Sequence, residues 1–424
     1  MNLAVHIPHN IAADLTLPLS KSIANRELLI NALTASPPPP LARGRGGAFS
    51  SVTPQVCLNK GEAGVAPDDI VVMRRGMAAG DGGIIDVGGA GTAMRFLTAY
   101  WATREGYTVT ITGNDRLCKR PISPLVNVLR QMGADIDYMG CEQCAPLRIA
   151  GRRLHGGHVT MRGDVSSQFA SALLMIGPAV GGLELELTGD IVSRPYIDMT
   201  IALMERHGVK VQCDGQTFIV PADHYLPTPS SDEGDWSAAS FWLALQALLP
   251  QARITLHGLV RDSVQGDRRI LTLLEQMGMA AHWDDDGTIT ADMSHAACCC
   301  CSTFADLNGT PDMAPVLVVL LCLLGRPFRL TGLRTLRDKE SDRREALRQE
   351  LAKLGYAITL EGDDAISWHF ATCPAQEQPV IDPHGDHRIA MALALAAVRH
   401  PGLTIAHAEV VSKSYPDFWK HLKL

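Results

Sequence analysis

Lys21 and Arg26 stand in the segment LPLSKSIANRELLINALTA, where Ser20 and Ser22 are placed to cap a helix and Arg26 follows Ser22 by four residues on the same face. A helix N-terminus offers unpaired backbone N–H groups and the positive end of a dipole, so two cations there describe an anion site. The device recurs along the chain. Gly88-Gly89-Ala90-Gly91-Thr92-Ala93-Met94-Arg95 opens the apolar run FLTAYWA, with glycines that let backbone donors approach an anion closely. Arg120-Pro121 is expected to begin a third helix, since proline suits the first helical position. Asp164-Val165-Ser166-Ser167-Gln168 opens FASALLMIGP with neutral hydrogen-bonding groups for a hydroxylated or phosphorylated ligand, and Ser193-Arg194-Pro195-Tyr196 opens a fifth.

The second half of the chain adds carboxylates to the pattern. Asp312, in Thr310-Pro311-Asp312, precedes an apolar helix, where it either caps the helix or does chemistry. Lys339-Glu340-Ser341-Asp342-Arg343 starts a charged helix, and Asp386-His387-Arg388 starts the apolar IAMALALAAV, where an arginine needs an anionic partner or a path to solvent. Lys413 lies near the C-terminus. Lys21, Arg26, Arg95, Arg120, Arg343, Arg388 and Lys413 together describe a cationic pocket for two small anions, phosphates above all, beside carboxylates able to move protons.

That pocket must be built locally, because the 424 residues carry 38 Lys and Arg against 45 Asp and Glu, a net charge of −7. Nucleic-acid and anionic-membrane binders usually show a basic excess, so neither partner is expected. The longest apolar run, Ala314 to Gly325, falls short of the about 20 residues of a membrane span and reads as a buried helix. Residues 1–19 carry no leader pattern, so a cytoplasmic location is expected, with the eleven cysteines as thiols. Neither Cys141-x-x-Cys144 nor the run Cys298 to Cys301 has a second correctly spaced pair, and no metal site is expected. Residues 36–66, with Pro37 to Pro40 and Arg43-Gly44-Arg45, form the least foldable stretch, read as a surface loop.

The elements that position these residues repeat. LRQMGADIDY, LMERHGVKVQ, LLEQMGMAAHW and ELAKLGYAITL each read as an amphipathic helix, a glycine cap and a strand. Their glycines, Gly133, Gly208, Gly278 and Gly355, lie 75, 70 and 77 residues apart, so a unit of about 70 residues fits six times into the chain. Strand-like runs such as Thr108 to Thr112 and Leu183 to Thr188 make each unit an α/β module. Polar joints at Leu15 to Ser20 and Pro227 to Gly234 divide the chain into domains of three units each, 20–231 and 1–19 plus 232–424.

In their order, these motifs resemble the 5-enolpyruvylshikimate-3-phosphate synthase family over nearly the whole chain: SKS-x-x-NR at 20–26, AGTAMR at 90–95, RPI at 120–122, SSQ at 166–168 and S-x-PYID at 193–198, then EGD at 233–235, PD at 311–312, KE-x-DR at 339–343, DHR-x-AM at 386–391 and K-x-x-PD at 413–417. The resemblance implies a two-domain enolpyruvyl transferase-like α/β fold, each domain made of three repeated α/β units with helix N-termini facing an interdomain cleft. It implies transfer of the enolpyruvyl group of phosphoenolpyruvate to the 5-hydroxyl of shikimate 3-phosphate, with no metal or organic cofactor, by a monomer. It also implies that shikimate 3-phosphate meets Lys21, Ser22, Arg26, Ser166, Ser167, Gln168, Ser193, Tyr196, Asp312, Thr335 and Lys339, and phosphoenolpyruvate Lys21, Gly91, Arg120, Gln168, Arg343, Arg388 and Lys413. Asp312, aided by Lys21, would take the hydroxyl proton, and Glu340 would serve the methylene carbon.

The chain departs from that family at Gly89 and Thr335, where asparagine is usual, and at Phe96, where proline is. Residues 41–67 replace a compact strand and turn, leaving Asp68-Asp69 and Val72-Met73 of the motif that follows. Two other readings compete: the UDP-N-acetylglucosamine enolpyruvyl transferase, and a non-catalytic binder of phosphorylated ligands. The first would have a loop cysteine five residues before the arginine, where this chain has Asp115, and Cys118 stands only two before Arg120. The second would need the cations but not Asp312 and Glu340 together.

Overall fold

A computed structural model describes residues 1–34, 67–293 and 302–422; the atypical stretch 36–66 and the run Cys298 to Cys301 lie outside the described residues. One chain path builds four of its sheets. A strand, a helix and a second strand parallel to the first are followed by another helix and an antiparallel hairpin. Ile84–Asp86 pairs parallel with Thr108–Thr112 across the helix Gly91–Ala102; then the helix Ser123–Gln131 leads to the hairpin Asp135–Tyr138 and Leu147–Ala150. Gly157–Arg162 and Leu183–Thr188 repeat this around the helices Ser167–Ile176 and Arg194–Arg206, and Thr303–Asp306 and Phe328–Thr331 around Ala314–Leu323 and Arg343–Lys353.

The glycine repeat marks the end of the second helix in each module. Gly133, Gly208, Gly278 and Gly355 all have φ between 91° and 101°. The next residue's N–H reaches back to the last turn, Ala134 to Leu129 O at 2.9 Å and Tyr356 to Leu351 O at 3.0 Å, a Schellman closure that turns the chain from helix into strand.

The described residues form two units, one of 1–21, 67–68 and 232–422, the other of 22–34 and 69–231. In the first, Ala12–Thr16 runs parallel to Arg253–His257, Ala13 opposite Ile254 and Leu15 opposite Leu256, so an N-terminal strand completes a sheet whose other strands lie after residue 250. The joint expected from Leu15 begins later, since Leu15 and Thr16 belong to this strand. A short sheet of Leu3–Ala4, Thr404–Ile405 and Val380–Ile381 carries the helix His387–Ala394. The apolar run at 314 is the helix Ala314–Leu323, buried at every position, in one core with the helix Trp236–Leu248. Burying such a leucine or valine contributes about 1.5–3 kcal/mol. Among the described residues no helix is long and apolar enough to cross a membrane.

The second unit holds the two sheets that start at Ile84 and Gly157, together with the helices Lys21–Thr34, from residue 22 onward, and Asp68–Met77, from residue 69. One expected helix start moves. Arg120 ends a short 3-10 turn, Leu117–Lys119, and the helix begins at Ser123 with Pro124 in its first turn. Ile122 stays outside the helix at φ −121° because its N–H donates to Gln143 O at 2.9 Å, which leaves Arg120 and Pro121 in a loop.

Candidate functional site

In the first unit the charged helix starts converge on Arg343. This side chain is 1% exposed and lies among three carboxylates: Asp386 at 2.7 Å, Asp312 at 2.8 Å and Glu340 at 2.9 Å. Asp386, itself fully buried, caps the helix His387–Ala394 by accepting from Arg388 N at 2.9 Å while it holds Arg343 Nε. Asp342 is the true cap of the helix Arg343–Lys353, accepting from Arg344 N and Glu345 N, so Glu340 just before it is left to other partners. Those are Arg343 and Lys413.

Asp312 does not cap its helix; no side-chain cap bond forms at that end. Instead it meets Lys339 at 3.1 Å and Arg388 at 3.7 Å as well as Arg343. Burial pushes its carboxyl up, but Lys339, Arg388 and Arg343 outweigh that and hold it well below the usual carboxylate range. With these cations in place Asp312 is an anion and a poor proton acceptor. Ligand phosphates and carboxylates that draw Lys339 and Arg388 away would return its basicity.

Lys21 Nζ lies 3.5 Å from His387 Nε2 in the same unit. Burial, and then Lys21 and Lys413, push the His387 imidazole well below its ordinary value, so it stands neutral among cations, its Nδ1 buried without a hydrogen-bond partner. Thr335 Oγ1 and Thr310 Oγ1 are likewise buried and unpartnered. Arg388, placed from the sequence beside apolar residues, has both its expected anions and a hydroxyl: Asp267 at 3.5 Å, Asp312 and Ser237 Oγ at 2.9 Å. Asp267 also accepts from Ser237 Oγ. Asp235 caps the helix Trp236–Leu248, and burial pushes its carboxyl up against the pull of Arg388 and Lys21.

Asp267 and Ser237 are site residues that the sequence reading did not single out. Asp267 follows Gly266 and precedes the amphipathic helix Arg269–Gln276, a charged residue at a helix start as Asp312 is. Gln265 beside it ties the region together. Its amide oxygen accepts from Ser20 Oγ at 2.8 Å and its nitrogen donates to Glu233 at 2.6 Å and to Gly234 O at 2.9 Å. Ser20, the residue just before the helix Lys21–Thr34, is thus also a buried tether to Gln265.

The second unit holds a separate cluster around Arg26. Its guanidinium is 2% exposed and donates to Thr200 Oγ1 at 2.7 Å, Ser22 O at 2.7 Å, Ser171 Oγ at 3.2 Å and Tyr196 O at 3.2 Å, and stacks 5.4 Å from the Phe96 ring. Burial lowers its pKa to about 10, which still leaves it charged at neutral pH. Its hydrogen-bond partners among the described residues are all neutral, and they take up four of its five N–H groups. Ser166 caps the helix Ser167–Ile176, and Gln168 Nε2 donates to Thr92 Oγ1 at 2.9 Å, joining two helix starts. Ser193 has φ +54° at the start of Arg194–Arg206, with no side-chain cap bond.

Gly91 begins its helix under two guanidiniums. A β-carbon there would lie 2.4 Å from Arg95 NH1 and 3.1 Å from Arg120 NH1, so only glycine fits without moving them. Arg95 NH1 donates to Gly91 O at 2.8 Å. Within the first unit the structure therefore gathers Lys21, Asp312, Lys339, Glu340, Arg343, Arg388 and Lys413 into one linked set of charges. Within the second, Ser22, Arg26 and Tyr196 form one group, and Gly91 stands under Arg120.

A family model described as EPSP synthase (3-phosphoshikimate 1-carboxyvinyltransferase) matches residues 66–422. A protein of Bacteroides fragilis (strain YCH46) named 3-phosphoshikimate 1-carboxyvinyltransferase is 42% identical over 425 residues, spanning 100% of this chain and 97% of its own length. One of the same name from Shewanella halifaxensis (strain HAW-EB4) is 38% identical over 346 residues, 80% of this chain and 79% of its own. A solved EPSP synthase structure from Acinetobacter baumannii superposes with TM-score 0.69 over 100% of this chain and 97% of that one, at 20% identity, a likeness of fold.

Proposed function

This chain belongs to the EPSP synthase (3-phosphoshikimate 1-carboxyvinyltransferase) family, and from that membership we propose how its residues divide the work of one enolpyruvyl transfer. The enzyme moves the enolpyruvyl group of phosphoenolpyruvate to the 5-hydroxyl of shikimate 3-phosphate and releases inorganic phosphate. In our assignment shikimate 3-phosphate is held by Lys21, Ser22, Arg26, Ser166, Ser167, Gln168, Ser193, Tyr196, Asp312, Thr335 and Lys339. Phosphoenolpyruvate is held by Lys21, Gly91, Arg120, Gln168, Arg343, Arg388 and Lys413. Arg26 supports the first set, being a buried cation with neutral partners.

The observation that carries the catalytic roles is that Asp312 and Glu340 flank one buried guanidinium, Arg343, and each has a lysine of its own, Lys339 and Lys413. Asp312 takes the proton from the 5-hydroxyl oxygen as it attacks C2 of phosphoenolpyruvate, with Lys21 assisting. Glu340, in its protonated form, delivers its proton to the methylene carbon, giving the tetrahedral ketal, and takes one back from the resulting methyl as phosphate leaves with the proton that Asp312 received. The arginines hold the substrate anions, and the carboxylates balance positive character at C2. Binding four substrate anionic groups draws Lys339 and Arg388 from Asp312, which times its basicity to the loaded enzyme.

We read the domains as 20–231 and 1–19 plus 232–424, a division supported by the pairing of Ala12–Thr16 with Arg253–His257. We read the enzyme as a cytoplasmic monomer that needs no metal. The test is phosphate release in the presence of chelator, with each substrate omitted in turn. Release that requires both substrates, and falls by roughly 100-fold or more in Asp312→Asn with a small change in either KM, supports the assignment. Release without shikimate 3-phosphate, or an Asp312→Asn rate equal to wild type, overturns it.

A further inference from the structure

Asp386, His387 and Arg388 are delivered by a turn that needs outside support. His384, two residues before Asp386, has φ +54°, in the left-handed region where a β-carbon is crowded. Beside it lies Glu350, a carboxylate 2% exposed whose hydrogen-bond partners among the described residues, His384, Asp382 and Lys353, include none of the residues assigned to substrate. One Glu350 oxygen lies 3.1 Å from His384 Nε2; the other accepts from Asp382 N at 2.9 Å and from Lys353 Nζ at 2.6 Å. Lys353 Nζ also donates to Val380 O at 2.9 Å, and His384 N donates to Asp382 Oδ1 at 2.8 Å.

Glu350 and Lys353 sit in the second half of the helix Arg343–Lys353, whose first residue grips Asp386. A single helix thus holds the segment 380–386 at both ends. A carboxylate this buried is costly unless its oxygens are satisfied, and among the described residues every hydrogen-bond partner except Lys353 belongs to the turn. Its position is therefore defined by the turn, and the turn by it.

We propose that Glu350 is a positioning residue for phosphoenolpyruvate: through His384 and the Asp382 N–H it sets where the first turn of His387–Ala394, and with it Arg388, stands. This rests on the reading of Arg388 and Arg343 as phosphoenolpyruvate ligands. Displacing a binding group by about 1 Å costs as much as 100-fold in rate, so a slack turn shows as weakened use of that one substrate.

The experiment compares Glu350→Gln, His384→Gly, the double variant, Arg388→Lys and the control Arg348→Gln, an exposed residue on the same helix paired with Glu345. Glycine accepts the left-handed conformation, so His384→Gly removes the contact without adding strain. Steady-state kinetics are measured with each substrate varied, alongside Tm. Glu350→Gln and His384→Gly are expected to raise the KM for phosphoenolpyruvate roughly 10-fold while the KM for shikimate 3-phosphate stays put. The double variant should be no worse than Glu350→Gln, since both act through one contact, and Arg348→Gln should match wild type. A fall in kcat and Tm with both KM values unchanged would make Glu350 merely structural and overturn the proposal, as would unchanged kinetics in both single variants while Arg388→Lys raises the KM for phosphoenolpyruvate. An unchanged KM in Arg388→Lys overturns instead the ligand reading on which the proposal stands. Should Glu350→Gln fail to fold, His384→Gly decides.

Discussion

A single hydrogen atom at Gly91 decides where two guanidiniums stand. The clash a β-carbon would make is with the far ends of Arg95 and Arg120, which can swing, so Gly91→Ala should fold normally. What it displaces is the cation assigned to phosphoenolpyruvate and the donor that closes on Gly91 O. The KM for phosphoenolpyruvate should rise roughly 10-fold or more, the cost of one misplaced methyl in a tight site, with the KM for shikimate 3-phosphate little changed. Substrate-varied kinetics check this, and equal increases in both KM values would mean that the two guanidiniums are not reserved for one substrate. Residues of this kind were legible in the sequence because helix starts are local: a glycine run or a serine before an apolar stretch already says which backbone donors are free. Asp267 and Glu350 were not, because their meaning lies in partners distant in sequence. Asp267 acts on Arg388 and Glu350 on His384; Glu350 looks by itself like an ordinary solvated charge, and the helix-start position of Asp267 does not name its partner.

The elements that bring these residues together are set by signals at helix ends. The four spaced glycines announced where each second helix stops, and the strands Thr108–Thr112 and Leu183–Thr188 fall where the alternating residues put them. The reading failed at Arg120, where proline was taken for a helix start. The carbonyl that holds Ile122 out of the helix belongs to Gln143, and a contact across that distance leaves no local mark. Gly133 isolates the value of the repeated cap, since a β-carbon there meets nothing within 4 Å and only the backbone at φ +101° objects. Gly133→Ala should cost about 1–2 kcal/mol, a fall of a few degrees in Tm, with both KM values unchanged. Calorimetry beside kinetics checks it, and a Tm equal to wild type would mean that the helix end rearranges without strain.

Across the molecule, histidines make the fold sensitive to mild acid. Burial lowers the pKa of His207, His387, His400 and His421 below the ordinary value of 6.5, so the folded chain refuses protons that the unfolded chain accepts. Stability then rises with pH wherever the unfolded state binds more protons, and the stabilisation present above pH 6.5 is lost progressively as pH falls below it. The depressed carboxylates, Asp312, Glu345 and Glu361 among them, act lower, below their unfolded values near 4, and the raised carboxyl of Asp235 works in the opposite sense, so the loss from pH 6.5 to 5 comes from the histidines. His207 is the clean probe. It is fully buried at the opposite end of the helix Arg194–Arg206 from Ser193 and Tyr196, with Nδ1 donating to Leu226 O at 3.1 Å and Nε2 left without a hydrogen-bond partner among the described residues, so protonation would bury an unpaired cationic N–H. Each such group contributes at most about 1.4 kcal/mol per pH unit to the slope. Tm measured from pH 7 to 5 should fall, and His207→Gln should flatten that fall while leaving the kinetics at pH 7 unchanged. An identical slope in the variant would mean that His207 takes up its proton within the folded state, by turning its ring or admitting water to Nε2.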